Sequence, residues 1–120
     1  MEPGRKSFPY HLHHANEELL LVLEGEVVVR TPEGEQTMGR CDATLFLRGP
    51  DGAHQVINRS DAPARFIMFS SMVQPEIAEY PDTGNIGLFA EREPRPDGEV
   101  VLQKYVDGSA ERDYFYEPQA

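Results

Sequence analysis

The sequence predicts an all-β domain, a sandwich or barrel of short antiparallel strands. Three observations carry this. Short runs that are apolar or alternate apolar with polar recur between residues 18 and 71, and Gly, Pro and Asp punctuate them at regular spacing. The longest apolar stretch, Leu19–Leu23, runs on into a valine-rich segment with Gly25 in its middle and shows no 3.6-residue stripe. The chain has 120 residues, which suffices for one domain.

Residues 1–9 are polar and hold Pro3, Gly4 and Pro9, so they form an extended lead-in with a short strand near Lys6–Phe8. His11 and His13 lie two apart and share one face of a strand. Residues 14–17 are a turn. Glu18–Glu24 and Glu26–Thr31 are strands, and Gly25 between them marks a bend or bulge. Pro32-Glu33-Gly34 is a hairpin signal leading into Glu35–Met38. A turn at Gly39–Asp42 precedes a strand at Ala43–Leu47, and Gly49-Pro50-Asp51-Gly52 is a further turn. His54–Asn58 alternates as a strand, residues 58–63 turn, and Ala64–Ser71 is the last clear core strand. Residues 71–80 allow at most one helical turn. The prolines and glycines of residues 74–99 predict an irregular excursion, after which Val100–Val106 supplies one more strand. The aromatic tail Asp113–Tyr116 is expected to pack on the barrel or on a second subunit. The chain thus divides into a barrel core over residues 1–72 and a C-terminal extension over residues 73–120 of the same domain.

Composition excludes several functions. With 21 acidic and 11 basic residues the net charge is −10, so neither nucleic acid nor an anionic membrane surface is an expected partner. The acidity reads as solubility rather than as a functional patch. The one cysteine, Cys41, cannot form an internal disulfide and is expected as a small buried side chain. The first ten residues lack the apolar centre of a signal peptide, and Leu19–Leu23 is too short to cross a bilayer, so a cytoplasmic location is expected.

Chemistry concentrates in Tyr10–Gly25, whose residues 11–18 set three histidines and two glutamates close together. His11 and His13 share a face, Glu18 can swing back as a carboxylate donor, and His54 can join from a neighbouring strand. These residues resemble the cupin family. Its first motif, His-x-His, then Glu, then Gly, is matched by His11-Leu12-His13, Glu18 after four residues and Gly25 after six more. Its second motif is matched with departures: Cys41 stands at a Gly position and Leu47 at the Pro position, Gly49 at the next Gly, and His54 and Asn58 keep their three-residue gap. The turn between Gly49 and His54 is longer than the motif's, whereas a register on Pro50 and Gly52 makes it one residue short. The resemblance covers about residues 5–72, and the tail is similar to that of small single-domain cupins, some described as sugar isomerases. It implies a jelly-roll barrel and one divalent metal ion held by His11, His13, Glu18 and His54. Three imidazoles and a carboxylate suit Fe, Mn, Ni or Zn.

Neighbouring residues read more plainly. His14 follows His13 and should point away, and Glu17 is expected exposed, because the spacing to Gly25 selects Glu18. Asn58 reads as a turn residue. Phe46, Phe66, Met68 and Phe69 are expected mostly in the core, Tyr10 outward, and Arg48 and Arg59 solvated. Only ten residues precede His11, fewer than a cupin barrel needs before its first motif, so a second chain is expected to complete the edge in a homodimer, with exchanged strands as one form of it. The expected function is a metal-dependent enzyme, of dioxygenase, isomerase or lyase type, on a small polar molecule. The alternative is a non-catalytic barrel that binds a small molecule or metal.

Overall fold

The computed structural model describes residues 1–91 and 95–115. Its strands are β1 Leu12–His13, β2 Glu18–Glu24, β3 Glu26–Thr31, β4 Gly34–Gly39 and β5 Ala43–Phe46. A 3-10 turn at Pro50–Gly52 follows, then β6 Gln55–Ile57, β7 Arg65–Ser70, β8 Glu76–Tyr80, β9 Asn85–Phe89 and β10 Gln103–Asp107. All pairings are antiparallel, in sheets ordered β5–β2–β7, β4–β3–β6 and β1–β8–β9–β10. The fold is an all-β jelly roll. Among the described residues no helix is long and apolar enough to cross a membrane.

Alternation along the strands builds the core. Leu20 and Val22 of β2, Val27 and Val29 of β3, Met38, Phe46, Val56 and Ala64 are buried together, with Phe66 and Met68 packed against them. Burial of each large aliphatic side chain is worth ~1.5–3 kcal/mol. Phe69 departs from the expected core set: it is 51% exposed on the outer face of β7, opposite the inward Met68. The predicted bend at Gly25 is present, with φ +75° and a register shift between Val22 and Glu24 against β7. A Cβ there would stand 2.7 Å from the Pro63 carbonyl oxygen, so only glycine fits.

Cys41 is exposed rather than buried. It sits in the β4–β5 turn with φ +70°, its N–H donates to the Val22 carbonyl, and the left-handed backbone turns its side chain to solvent. A glycine at this motif position would adopt that backbone without strain.

The excursion expected over residues 74–99 instead contains a hairpin, β8–β9. Pro75 and Pro81 flank β8 and Gly84 precedes β9, so the punctuation delimits strands rather than dissolving them. Pro94 and Tyr116 lie outside the described residues, while Tyr114 and Phe115 are exposed and meet only edge to face, at 4.9 Å between ring centroids. The edge expected to stand open beside the first motif is closed by the chain itself. Leu12 pairs with Glu79 and His13 with Ala78, His11 bridges His54 on the other side, and Lys6 bridges Ile57.

Candidate metal centre

Four donor residues meet at one end of the barrel. His11 and His13 approach on either side of Leu12, whose side chain takes the opposite face with Tyr10 and Ala53. Tyr10 points away from the donors, yet it is buried rather than outward, under the Arg30 guanidinium 4.0 Å from its ring. Glu18 opens β2, and His54 follows the Pro50–Gly52 turn. All four are buried, and one donor atom from each lies within 4.8 Å of the others. His11 Nε2 is 3.0 Å from His13 Nε2, and Glu18 Oε1 lies 2.5 Å from His13 Nε2 and 3.4 Å from His54 Nε2.

The far sides of the rings set what these atoms can do. His11 Nδ1 faces the Pro9 carbonyl at 2.9 Å and His54 Nδ1 faces the Gly52 carbonyl at 2.8 Å. A carbonyl only accepts, so each Nδ1 donates, and in a neutral ring each Nε2 is then a lone pair. These two lone pairs and the Glu18 carboxylate are aimed at one another, and in a neutral site only His13 Nε2 can bring a proton among them. Glu18 Oε1 and His54 Nε2 are buried without a hydrogen-bond partner, which is costly unless a cation satisfies them. The donor set therefore fits a divalent metal ion. Phe46 stacks on the His54 ring at 3.8 Å between centroids and fixes its plane.

The electrostatics agree. Burial, with His13 and His54 beside it, pushes His11 from 6.5 down to about 4. Burial alone would push Glu18 up, but hydrogen bonds from His13 and His54 when these rings carry a proton at Nε2, and the charge they then hold, outweigh it and draw the carboxyl well below its usual range. The consequence for metal-free protein has a definite sign. Below pH 6.5 an unfolded His11 takes a proton that the folded one refuses, so this penalty is absent above pH 6.5, grows as the pH falls and saturates near pH 4. At ~1.4 kcal/mol per pH unit it amounts to about 2 kcal/mol at pH 5. Denaturant melts of metal-free protein at pH 7 and pH 5 measure it, and equal stabilities would contradict the burial of this ring.

His14 points to solvent as expected and pairs with Glu79 at 2.7 Å, while Glu17 is exposed. Arg59 pairs with Glu35 away from the donors. Asn58 holds the turn before β7, its amide donating to the carbonyls of Met1 and Ala62.

One residue beside the donors was not legible beforehand. Glu76, at the start of β8, is 2% exposed, and its Oε2 lies 3.4 Å from His13 Nδ1. Its Oε1 accepts from the backbone N–H groups of His14, Ala15 and Ile77, and its Oε2 from the Asn16 amide. Burial would push this carboxyl up, but the Asn16 amide, these N–H groups and His13 hold it below its usual value. Glu76 thus sets a carboxylate beside the third imidazole, whose Nδ1 is buried without a hydrogen-bond partner, where the other two rings have carbonyls. The signal in the sequence was the alternation of Glu76, Ala78 and Tyr80, all turned to the site. Glu76→Gln keeps one oxygen for the N–H groups but removes the negative charge beside His13 Nδ1, so metal affinity is expected to fall ~10–100-fold. Competition with a chromophoric chelator measures this, and an unchanged affinity would mean that His13 is held without Glu76.

The cupin domain profile matches residues 1–70. A described sugar phosphate isomerase of the cupin superfamily from Silicibacter pomeroyi superposes with a TM-score of 0.76 at 29% identity, covering 92% of this chain and 64% of that one. A structure from Acidithiobacillus ferrooxidans has the same fold at 24% identity and TM-score 0.76, covering 94% of this chain and 66% of that one. The tetracenomycin polyketide synthase protein TcmJ of Streptomyces glaucescens is 30% identical over 86 residues, 72% of this chain and 53% of that protein. The chain therefore spans about half of TcmJ and just under two thirds of either structure. With its profile match over more than half the chain and the first motif complete, the chain belongs to the cupin family.

Proposed function

We propose that this cupin is a divalent-metal enzyme acting on a small polar molecule, with His11, His13, Glu18 and His54 as the metal ligands. The observation that carries the reading is the convergence of four buried donor atoms, of which Glu18 Oε1 and His54 Nε2 have no hydrogen-bond partner, beside a polar cavity of about 290 Å³ lined by His11 and His13. A bound ion, Fe, Mn, Ni or Zn by the chemistry of the donors, supplies Lewis acidity to a carbonyl or hydroxyl group of the substrate. The chain's own part is to hold the His11 and His54 rings by their Nδ1 atoms, to seat the reacting group beside His11 and His13, and to keep bulk water from Glu18. Isomerisation of a hydroxy-carbonyl compound fits best, and the similarity to a described sugar phosphate isomerase supports it.

A second reading has its own observation. Glu76, the carboxylate facing the cavity, is engaged by three backbone N–H groups and the Asn16 amide, which suits a holding role better than proton transfer. On that reading the barrel binds a small molecule or metal without turnover. Elemental analysis of protein purified without added metal, followed by assays of aldose–ketose interconversion and O2 consumption, separates the two. Metal with turnover supports the enzyme, stoichiometric metal without turnover the binding module, and protein without metal neither.

The homodimer stays part of the proposal on different grounds. Leu45, Leu19 and Phe69 lie in one register row across the outer face of β5–β2–β7, with Ile67 in the next row, and each is at least 38% exposed. Such a face favours association. Light scattering at micromolar concentration tests it, and a monomer would refute it.

A further inference from the structure

The cavity over the donors has a wall that metal binding does not require. His11 and His13 form its floor, and its far side is the C-terminal sheet: Tyr80 of β8, Phe89 of β9, and Gln103 and Tyr105 of β10. The aromatic rings of this wall are mutually seated. Tyr80 stacks on His11 with centroids 5.9 Å apart and 25° between planes, and Tyr105 meets Tyr80 and Phe89 edge to face at 5.9 and 5.6 Å. Gly87 makes this packing possible, because a Cβ there would stand 2.8 Å from the Phe89 ring and 3.3 Å from Tyr80. Ala78, between Glu76 and Tyr80 on the same face, is small and buried, which leaves the space open.

Size and charge narrow what can enter. The cavity of about 290 Å³ holds roughly ten water-sized groups. One ring with its substituents fits with space left for water, whereas a substituted four-ring system of roughly 400 Å³ does not. The charged side chain on the wall is a carboxylate, Glu76, and the described lining residues include no lysine or arginine. An anionic group seated away from the metal would therefore face negative charge. The remaining lining combines ring faces with an amide and phenol hydroxyls, the combination that takes up C–H faces and hydroxyl groups together.

We propose that β8–β10 form the substrate-binding wall of the site, that Gln103 and Tyr105 contact the ligand, and that the ligand is a single-ring, uncharged polyhydroxy compound. This rests on the metal-site reading above and adds to it the part of the ligand remote from the metal. It assigns the C-terminal extension a recognition role that the two cupin motifs do not carry, and it separates this site from one built for a phosphorylated sugar or a fused-ring polyketide.

The test uses the full chain reconstituted with Co(II), whose visible spectrum reports the ligand set. D-fructose, D-glucose and myo-inositol are titrated with saturation-transfer NMR and tyrosine fluorescence as readouts, alongside D-fructose 6-phosphate and 1,8-dihydroxyanthraquinone. At least one of the three neutral compounds is expected to bind, more tightly than the phosphorylated or the fused-ring probe. Gln103→Ala and Tyr105→Ala, both at exposed positions, should each weaken that binding at least tenfold with metal content and Co(II) spectrum unchanged. No binding of any neutral probe at 100 mM, tighter binding of the phosphorylated or fused-ring probe, or unchanged affinity in both variants overturns the proposal. Protein that takes up no Co(II) overturns the metal-site reading itself, whereas protein that holds Co(II) and fails the ligand arms overturns the wall alone.

Discussion

Glu18→Gln is expected to lower metal affinity by more than ~100-fold, because loss of even an outer partner of a metal ligand costs ~10–100-fold. Glutamine matches glutamate in shape and keeps an oxygen donor but brings no charge. The negative charge at this point is what the structure has prepared: Glu18 is 9% exposed, three imidazoles surround it, and its Oε1 has no hydrogen-bond partner. Thermal stability with metal should fall toward the metal-free value, while the metal-free protein changes much less, since binding adds stability only in proportion to its affinity. Calorimetric titration with Zn(II) and melts with and without metal measure both. Stoichiometric metal surviving dialysis in Glu18→Gln would remove Glu18 from the ligand set.

The second large effect is expected at Gly52, outside the donors. A Cβ there would lie 1.6 Å from the Leu47 carbonyl oxygen and 2.7 Å from the Leu47 carbonyl carbon, so the turn itself would have to move. The Gly52 carbonyl is the acceptor that orients His54, and Gly52 N–H closes the turn on Gly49. Gly52→Ala should therefore cost more than ~3 kcal/mol, the range of severe core clashes, and weaken metal binding with it. Gly49 gives the contrast. It has φ +88° but nothing within 4 Å of its Cβ position, so Gly49→Ala should cost only the backbone strain, ~1–2 kcal/mol. Urea denaturation of the two variants compares them. A larger loss at Gly49 would mean that backbone conformation rather than close packing fixes this turn. The structure thereby bears on the two registers left open for the second motif: the tightly packed glycine is Gly52, and Gly49 is a free turn residue.

The residues that were legible in the sequence owe it to short-range spacing. His13 lies in β1 with His11 just before it, and Glu18 opens β2, so alternation and a fixed distance to Gly25 suffice to place them. His54 was legible because its turn is marked by Gly and Pro, although the turn's geometry was not. Glu76 was not legible, since nothing local ties it to His13. The contact depends on β1 pairing with β8 across more than sixty residues, and no periodicity reports such a pairing. The hairpin β8–β9 was hidden for a related reason. Pro75, Pro81 and Gly84 are turn formers wherever they stand, and whether they end a strand or prevent one is decided by what pairs with the residues between them. Here β1 on one side and β10 on the other supply the pairing. Cys41 was misplaced because composition favours burial of a lone thiol, whereas a positive φ in a turn decides where the side chain points.

The pairing of β1 with β8 also sets an order in time. His11 and His13 leave a ribosome before the segment that holds them: the N–H of His14 finds its acceptor, Glu76, 62 positions later, and Leu12 pairs with Glu79. Until that later segment has been made and has closed on β1, the early imidazoles are free to rotate, and any ion they capture is chosen by raw affinity, which favours copper and zinc. Only after closure, the slow long-range step of such a topology, does fixed ring geometry choose among metals. The metal that a living cell installs is thus decided partly by whether loading precedes or follows the arrival of residue 80.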